Sequence, residues 1–274
     1  PRSTPLYSSA ASDVYKRQGQ ADRLMLGKLV AMGVVGVYSI ALMFARLPYE
    51  IGSRLAQSVL FPALADVARN DREALRAKFL KSRDAILAIC QLGTVVLLVG
   101  SPWFFRLIYD ERYIDAAIFA PLLAGTAWFS ILQITADRAL LALGNARVLA
   151  LSNFINLSVT ISACLIGFHF DQLRGFIIGL GLGNFSGHAV IAWALTRHGI
   201  SIVRQDFLYT MLVTIASLIG LSATMLVDGI NNTYWTLILA VVGVSVSAFI
   251  AYRRLEFIIQ EKFQSILNHV RRRG

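Results

Sequence analysis

Charged side chains are scarce in this chain, and acidic ones are scarcer than basic ones. Asp, Glu, Lys and Arg make up 15% of its 274 residues, with 26 Lys and Arg against 16 Asp and Glu. A soluble domain carries about 25% charged residues. That shortfall, beside a hydrophobic share of 56% and a mean hydropathy of +0.62, excludes an ordinary soluble domain. Cysteine is nearly missing as well. Cys90 and Cys164 each sit in an apolar run and form no CxxC pair, so inert buried thiols are expected, not a disulfide framework or a zinc site. Catalytic signatures are wanting too: HExxH, a phosphate-binding loop and GxSxG do not occur. His169 and Asp171 lie close together, but two ligands are too few for a metal. The chain is therefore expected not to be an enzyme, and to carry no metal and no cofactor.

What is present is long apolar runs. Eight stretches are long enough to cross, or nearly cross, a bilayer core of about 30 Å: 24–44, 49–68, 84–108, 115–141, 148–169, 174–195, 207–227 and 234–252. They are continuous, not alternating at every second residue, which argues for helices over strands. A helix also satisfies its own backbone groups in lipid. The expected fold is all-α, a polytopic membrane bundle of about eight transmembrane helices.

The net charge of +10 invites a nucleic-acid reading, but the charges bracket the apolar stretches instead of forming a binding face, so no nucleic-acid partner is expected. The connection RNDREALRAKFLKSR holds Arg69, Arg72, Arg76, Lys78, Lys81 and Arg83. The tail holds Arg253, Arg254, Lys262 and Arg271 to Arg273. An even number of stretches separates the two, so both face one side, which the positive-inside rule makes the cytoplasm; Arg197 and Arg204 fall there as well. The opposite connection at 227–235 has no Lys or Arg. Trp103, Trp128, Tyr234 and Trp235 are expected near span ends, at headgroup level. In 255–270 apolar residues recur at three- and four-residue steps with basic residues between them, so 253–274 reads as a basic amphipathic helix, either on the membrane surface or against another part of the protein.

Residues 1–18 do not fit this pattern. They are polar and aperiodic, and SSAASDVYKRQ (Ser8–Gln18) resembles a translated transposase sequencing adapter. The segment is set aside as non-native, leaving 19–252 as the expected membrane bundle and an expectation that the natural protein extends upstream of Gly19.

Ionisable residues inside spans are costly, about 2.5–3.5 kcal/mol each at the bilayer centre on insertion scales, and so mark candidate sites. Arg46, Glu50 and Arg54 recur every four residues on one helix face, where Glu50 can pair with either arginine. Asp137 and Arg138 are adjacent in the fourth stretch, and His188 lies within the sixth. Arg46, Glu50, Arg54, Asp137 and Arg138 are the substrate-binding candidates, with a self-satisfying ion pair or interfacial anchor as the plainer alternative; His188 is a further intramembrane candidate, for which a hydrogen bond between helices is the plainer reading. Gly175, Gly179, Gly183 and Gly187 form a four-residue stripe suited to close helix packing. A dinucleotide fingerprint is not met in register.

The segments ADRLMLGKL (21–29), GVYSIA (36–41), VLFPALA (59–65), IYDERYIDAA (108–117) and ALLALGNARVLALSNFINL (139–157) carry a resemblance. In their order and spacing they are similar to the polysaccharide-transporter branch, the O-antigen and exopolysaccharide flippases, of the multidrug/oligosaccharidyl-lipid/polysaccharide exporter superfamily. The resemblance implies the second lobe of a two-lobe flippase plus two additional helices, with the N-terminal lobe of the same chain absent. It implies a bacterial inner-membrane protein with a cytoplasmic C-terminus. By alternating access, such a protein moves an undecaprenyl-diphosphate-linked oligosaccharide to the periplasmic leaflet. The implied partners are that lipid-linked oligosaccharide, membrane lipid and the N-terminal lobe; the coupling ion, H+ or Na+, is left open. A drug/cation antiporter of the same superfamily would share the fold. A membrane-embedded polysaccharide polymerase or acyltransferase would need longer polar loops than these.

Overall fold

The computed structural model of the chain describes residues 22–62, 64, 72–227, 244–245, 247–249, 251–254 and 256. The adapter-like segment, nearly all of the eighth apolar stretch and most of the amphipathic tail lie outside the described residues. Those described are helical almost throughout, with no strand among them. After a helical segment at 22–29 come α1 (Met32–Ala45) and α2 (Leu47–Leu55), the latter running into a π-turn at Ala56–Leu60. Then follow α3 (Arg72–Ile108), α4 (Ala116–Ala142), α5 (Ala146–Arg197) and α6 (Val203–Val227). The protein is an all-α bundle of the membrane type.

The expected division between spans 24–44 and 49–68 is not how the chain runs. The first stretch breaks at Val30 and Ala31, where the Ala31 backbone is extended, and α1 starts only at Met32. From there α1 and α2 continue in nearly one direction with a bend of 42°. Two successive spans would require a full reversal. Over 32–60 the pair measures roughly 43 Å at the helical rise, enough for a single crossing. The break lies at Arg46 and Leu47, and Pro48 stands in the first turn of α2. Proline tolerates that position because its missing N–H would have been unpaired there, and its ring prevents α1 from passing straight through.

The basic connection before the third stretch is also not a loop. It is helical from Arg72, and α3 spans 37 residues. Leu75, Phe79, Arg83 and Leu87 fall four apart and are all buried, so the apolar stripe of the span begins two turns before the hydrophobic run does. Arg83 sits on that stripe and is fully enclosed, while Arg76 and Lys78 are exposed.

Helix α5 has 52 residues, roughly 78 Å if straight and more than twice a bilayer core. It folds back at Asp171 and Gln172, whose backbone leaves the helical region; Gln172 has φ 42°. The limbs on either side, α5a (146–170) and α5b (173–197), match the expected stretches 148–169 and 174–195. The limbs approach closely at residue pairs that run antiparallel. A Cβ on Gly175 would strike the Gly167 carbonyl, one on Gly179 the backbone of Ala163 and Cys164, one on Gly183 the Thr160 side chain, and one on Gly187 Asn156. The glycine stripe is thus a seam along which two backbones meet.

Helix α4 is the central element, packed against α1, α2, α3, both α5 and α6. Trp128 is fully buried on it, and its indole N–H donates to Thr210 on α6 at 3.0 Å. It is therefore not an interfacial anchor. Trp193, near the end of α5b, is 54% exposed and lies 3.9 Å beneath the Arg197 guanidinium.

Candidate functional site

The polar side chains of the bundle gather on one stretch of α4. Within 132–138, successive residues face different neighbours, because each step along a helix turns about 100°. Gln133 faces the α5 hairpin: its amide donates to Ser152 at 3.4 Å and accepts from Asn156 at 3.3 Å. Ser152 in turn donates to the Gly187 carbonyl at 2.9 Å, and Thr160 to Asn156 at 3.1 Å. Leu132 and Thr135 face α3. Asp137 and Arg138 lie toward α2, where the Tyr49 hydroxyl is within Coulombic reach of Asp137, Glu50, Arg46 and Arg138.

That tyrosine marks where the sequence candidates meet. Arg46 stands at the break between α1 and α2 with 37% of its side chain exposed, and its guanidinium is 3.8 Å from the carboxylate of Asp22. Asp22 is buried and also accepts from the Tyr38 hydroxyl at 3.1 Å, so the 22–29 segment is pinned to α1 beside the bend. Glu50 and Arg54 follow at one-turn intervals and are both exposed. No ion pair joins Glu50 to either arginine among the described residues, so the pairing expected from their spacing does not form. Arg54 lies just before the π-turn, and its carbonyl accepts from the Ser58 hydroxyl at 2.8 Å. A π-turn interrupts the regular ladder and is often found at functional positions. Asp137 is buried, and the Nε of Arg138 is enclosed without a hydrogen-bond partner. Four of the five binding candidates therefore lie within electrostatic reach of Tyr49, and Arg54 stands one turn beyond Glu50 on the exposed face of α2.

A second cluster was only partly foreseen. Arg83 from α3 is paired with Asp206 from α6 at 2.7 Å, and the other carboxylate oxygen of Asp206 is 2.9 Å from His188 Nε2 on α5b. The remaining Arg83 donors reach Thr135 Oγ1 at 3.1 Å, the Leu132 carbonyl at 3.2 Å and Gln205 Oε1 at 3.4 Å. Next to it, Tyr209 donates to Asp84 at 3.0 Å, and Arg254 lies 3.8 Å from the same carboxylate. Of these residues only His188 had been singled out as a candidate. Asp206 was overlooked, although it is the one acidic residue between Arg174 and Asp228. No group of three metal-ligating side chains occurs among the described residues.

The polar band belongs to a helical bundle of the membrane type, and part of the chain is similar to a known family. Residues 12–118 match the family model for polysaccharide biosynthesis proteins. The matched part contains the bent α1–α2 segment with Arg46, Glu50 and Arg54, and all of α3 with Arg83. It is consistent with the polysaccharide-transporter resemblance and ties the chain to polysaccharide biosynthesis. Asp137, Arg138, His188 and the glycine seam lie beyond it. No curated protein and no solved structure matches the chain.

Proposed function

We propose that this chain is part of a flippase that carries an undecaprenyl-diphosphate-linked oligosaccharide across the bacterial inner membrane. The observation that supports it most directly is the exposed basic face of the bent segment. Arg46 and Arg54 stand about two turns apart on the bent segment, in the part of the chain that matches the polysaccharide-biosynthesis family. A guanidinium donates two parallel hydrogen bonds to phosphate oxygens, so two of them in reach of one another suit a diphosphate. The charged groups bind and release without making or breaking a bond, and the chain works as a transporter, not an enzyme. The break at Arg46 and the π-turn after Arg54 give this arm two places to flex, as alternating access requires. In this reading the basic regions at 69–83 and 253–273 face the cytoplasm.

The test is Arg54→Ala in the full-length protein. Surface polysaccharide is expected to be lost while the protein still inserts and accumulates in the membrane. Normal surface polysaccharide in cells carrying the variant defeats the assignment of that residue. Retained export together with loss of drug resistance on deletion of the gene favours the antiporter reading.

A further inference from the structure

We propose that His188, Asp206 and Arg83 form a protonation-controlled latch that fastens α6 to α3 and α5b. The cluster is enclosed: none of the Arg83 side chain is exposed, 7% of His188 and 13% of Asp206. In it one carboxylate serves two partners, one oxygen each. With neutral His188 donating from Nε2, the three groups sum to zero charge, and Asp206 meets Arg83 through an ion pair at Oδ1 and His188 through a hydrogen bond at Oδ2. Nδ1 of His188 is buried without a hydrogen-bond partner, and Oδ1 of Asp206 has its ion pair but no hydrogen bond.

A proton added to that nitrogen has two consequences. Two cations now share one carboxylate in a space with little water, an uncompensated buried charge. The new Nδ1–H also points where no acceptor stands. Opening the cluster to water relieves both. Protonation therefore favours the arrangement in which His188 and Arg83 no longer share one enclosed carboxylate, which is the open one. The surroundings supply no substitute anion. From α6 the charged group facing His188 is Asp206, and from α3, through that carboxylate, it is Arg83. From α4 come Thr135 and the Leu132 carbonyl, both already used by Arg83, and from α5a comes Ser152, bonded to the Gly187 carbonyl. Asp84, beside Arg83, is engaged by Tyr209 and Arg254.

The inference is independent of what is transported, because its test reads helix separation. Spin labels are placed at the exposed positions Val203 and Arg76 in a chain carrying Cys90→Ala and Cys164→Ala, reconstituted in nanodiscs. Distances are measured at about pH 8 and pH 5, the range in which histidine titrates. A single short population at the higher pH and an additional longer one at the lower pH are expected, with the longer one lost in His188→Gln, whose amide keeps the donor to Asp206 but takes no proton. A distribution unchanged with pH, one that shortens on acidification, or an equal response in His188→Gln overturns the proposal. If His188→Gln does not fold, amide exchange in the unsubstituted chain decides. Protection at the start of α6 must fall on acidification after correction for intrinsic exchange, and unchanged or increased protection refutes the latch.

Discussion

Asp206→Asn should be among the most damaging conservative substitutions in this protein. The change keeps the shape of the side chain and can keep a hydrogen bond to His188, but it removes the charge that faces Arg83. The guanidinium cannot follow by losing its proton, since arginine stays protonated in proteins, and it cannot reach water, being fully buried between α3, α4 and α6. Removing one partner of such a pair costs about 3–5 kcal/mol, because the other is left uncompensated. For a chain of this size, about 2–4 °C of melting temperature per kcal/mol sets a drop on the order of 10 °C. The assay is thermal unfolding of the purified protein in detergent, followed by the loss of its monodisperse peak in size-exclusion chromatography. The double variant Arg83→Met, Asp206→Leu removes both charges and fills the space with apolar side chains, so it should recover most of the loss. A melting temperature within about two degrees of the parent for Asp206→Asn, or a double variant no better than the single one, would refute the reasoning.

Gly179→Ala should destabilise by about 1–3 kcal/mol, since the new methyl would lie 2.5 Å from the Cys164 backbone nitrogen, which cannot step aside. Gly36→Ala, with nothing within 4 Å of its added methyl, should leave the melting curve unchanged or raise it slightly. Cys90 and Cys164 are buried, so neither should react with a water-soluble maleimide until the protein is denatured, as read by intact mass. Residues 19–274 alone should insert into vesicles yet flip no lipid-linked sugar, and flipping in a fluorescence-quenching assay would contradict the two-lobe reading.

The fold class was legible because charge is so sparse, and the α5 hairpin because four-residue glycine spacing implies a close-packed face. The connections were harder to read. Hydropathy located α3 by its apolar run and missed its first turns. There the buried stripe is marked by Leu75 and Phe79 amid Lys and Arg, and a four-residue count continued to position 83 would have placed an arginine in the core. The bend at Arg46 defeated span counting for a different reason. A polar residue followed by Leu-Pro looks the same in sequence whether the chain reverses or only kinks, and tertiary packing decides between them. At the candidate site, spacing brought Arg46, Glu50 and Arg54 to one face, but it could not show that Glu50 pairs with neither arginine and that Arg46 turns to Asp22 instead. Nor could it reveal Asp22 and Asp206, each of which meets its side-chain partners in segments 16 or more residues away.

The placement of polar groups along α4 explains how helices choose neighbours where oil surrounds them. Lipid tails are as apolar as leucine, so burying leucine against leucine gives no preference for one partner helix over another. The half of α4 from Ala116 to Ile131 is built largely from such residues, and there the Trp128 indole donates across to Thr210 on α6. From Leu132 to Arg138 the same helix offers Gln133 to α5a, Thr135 to α3 and the Asp137–Arg138 pair toward α2. The Gln133 and Thr135 contacts leave a polar group unsatisfied if the neighbour is exchanged or turned, a penalty that leucine packing lacks. The arrangement of the bundle is therefore set mainly at one level of α4 and along the glycine seam of α5, while the apolar half follows.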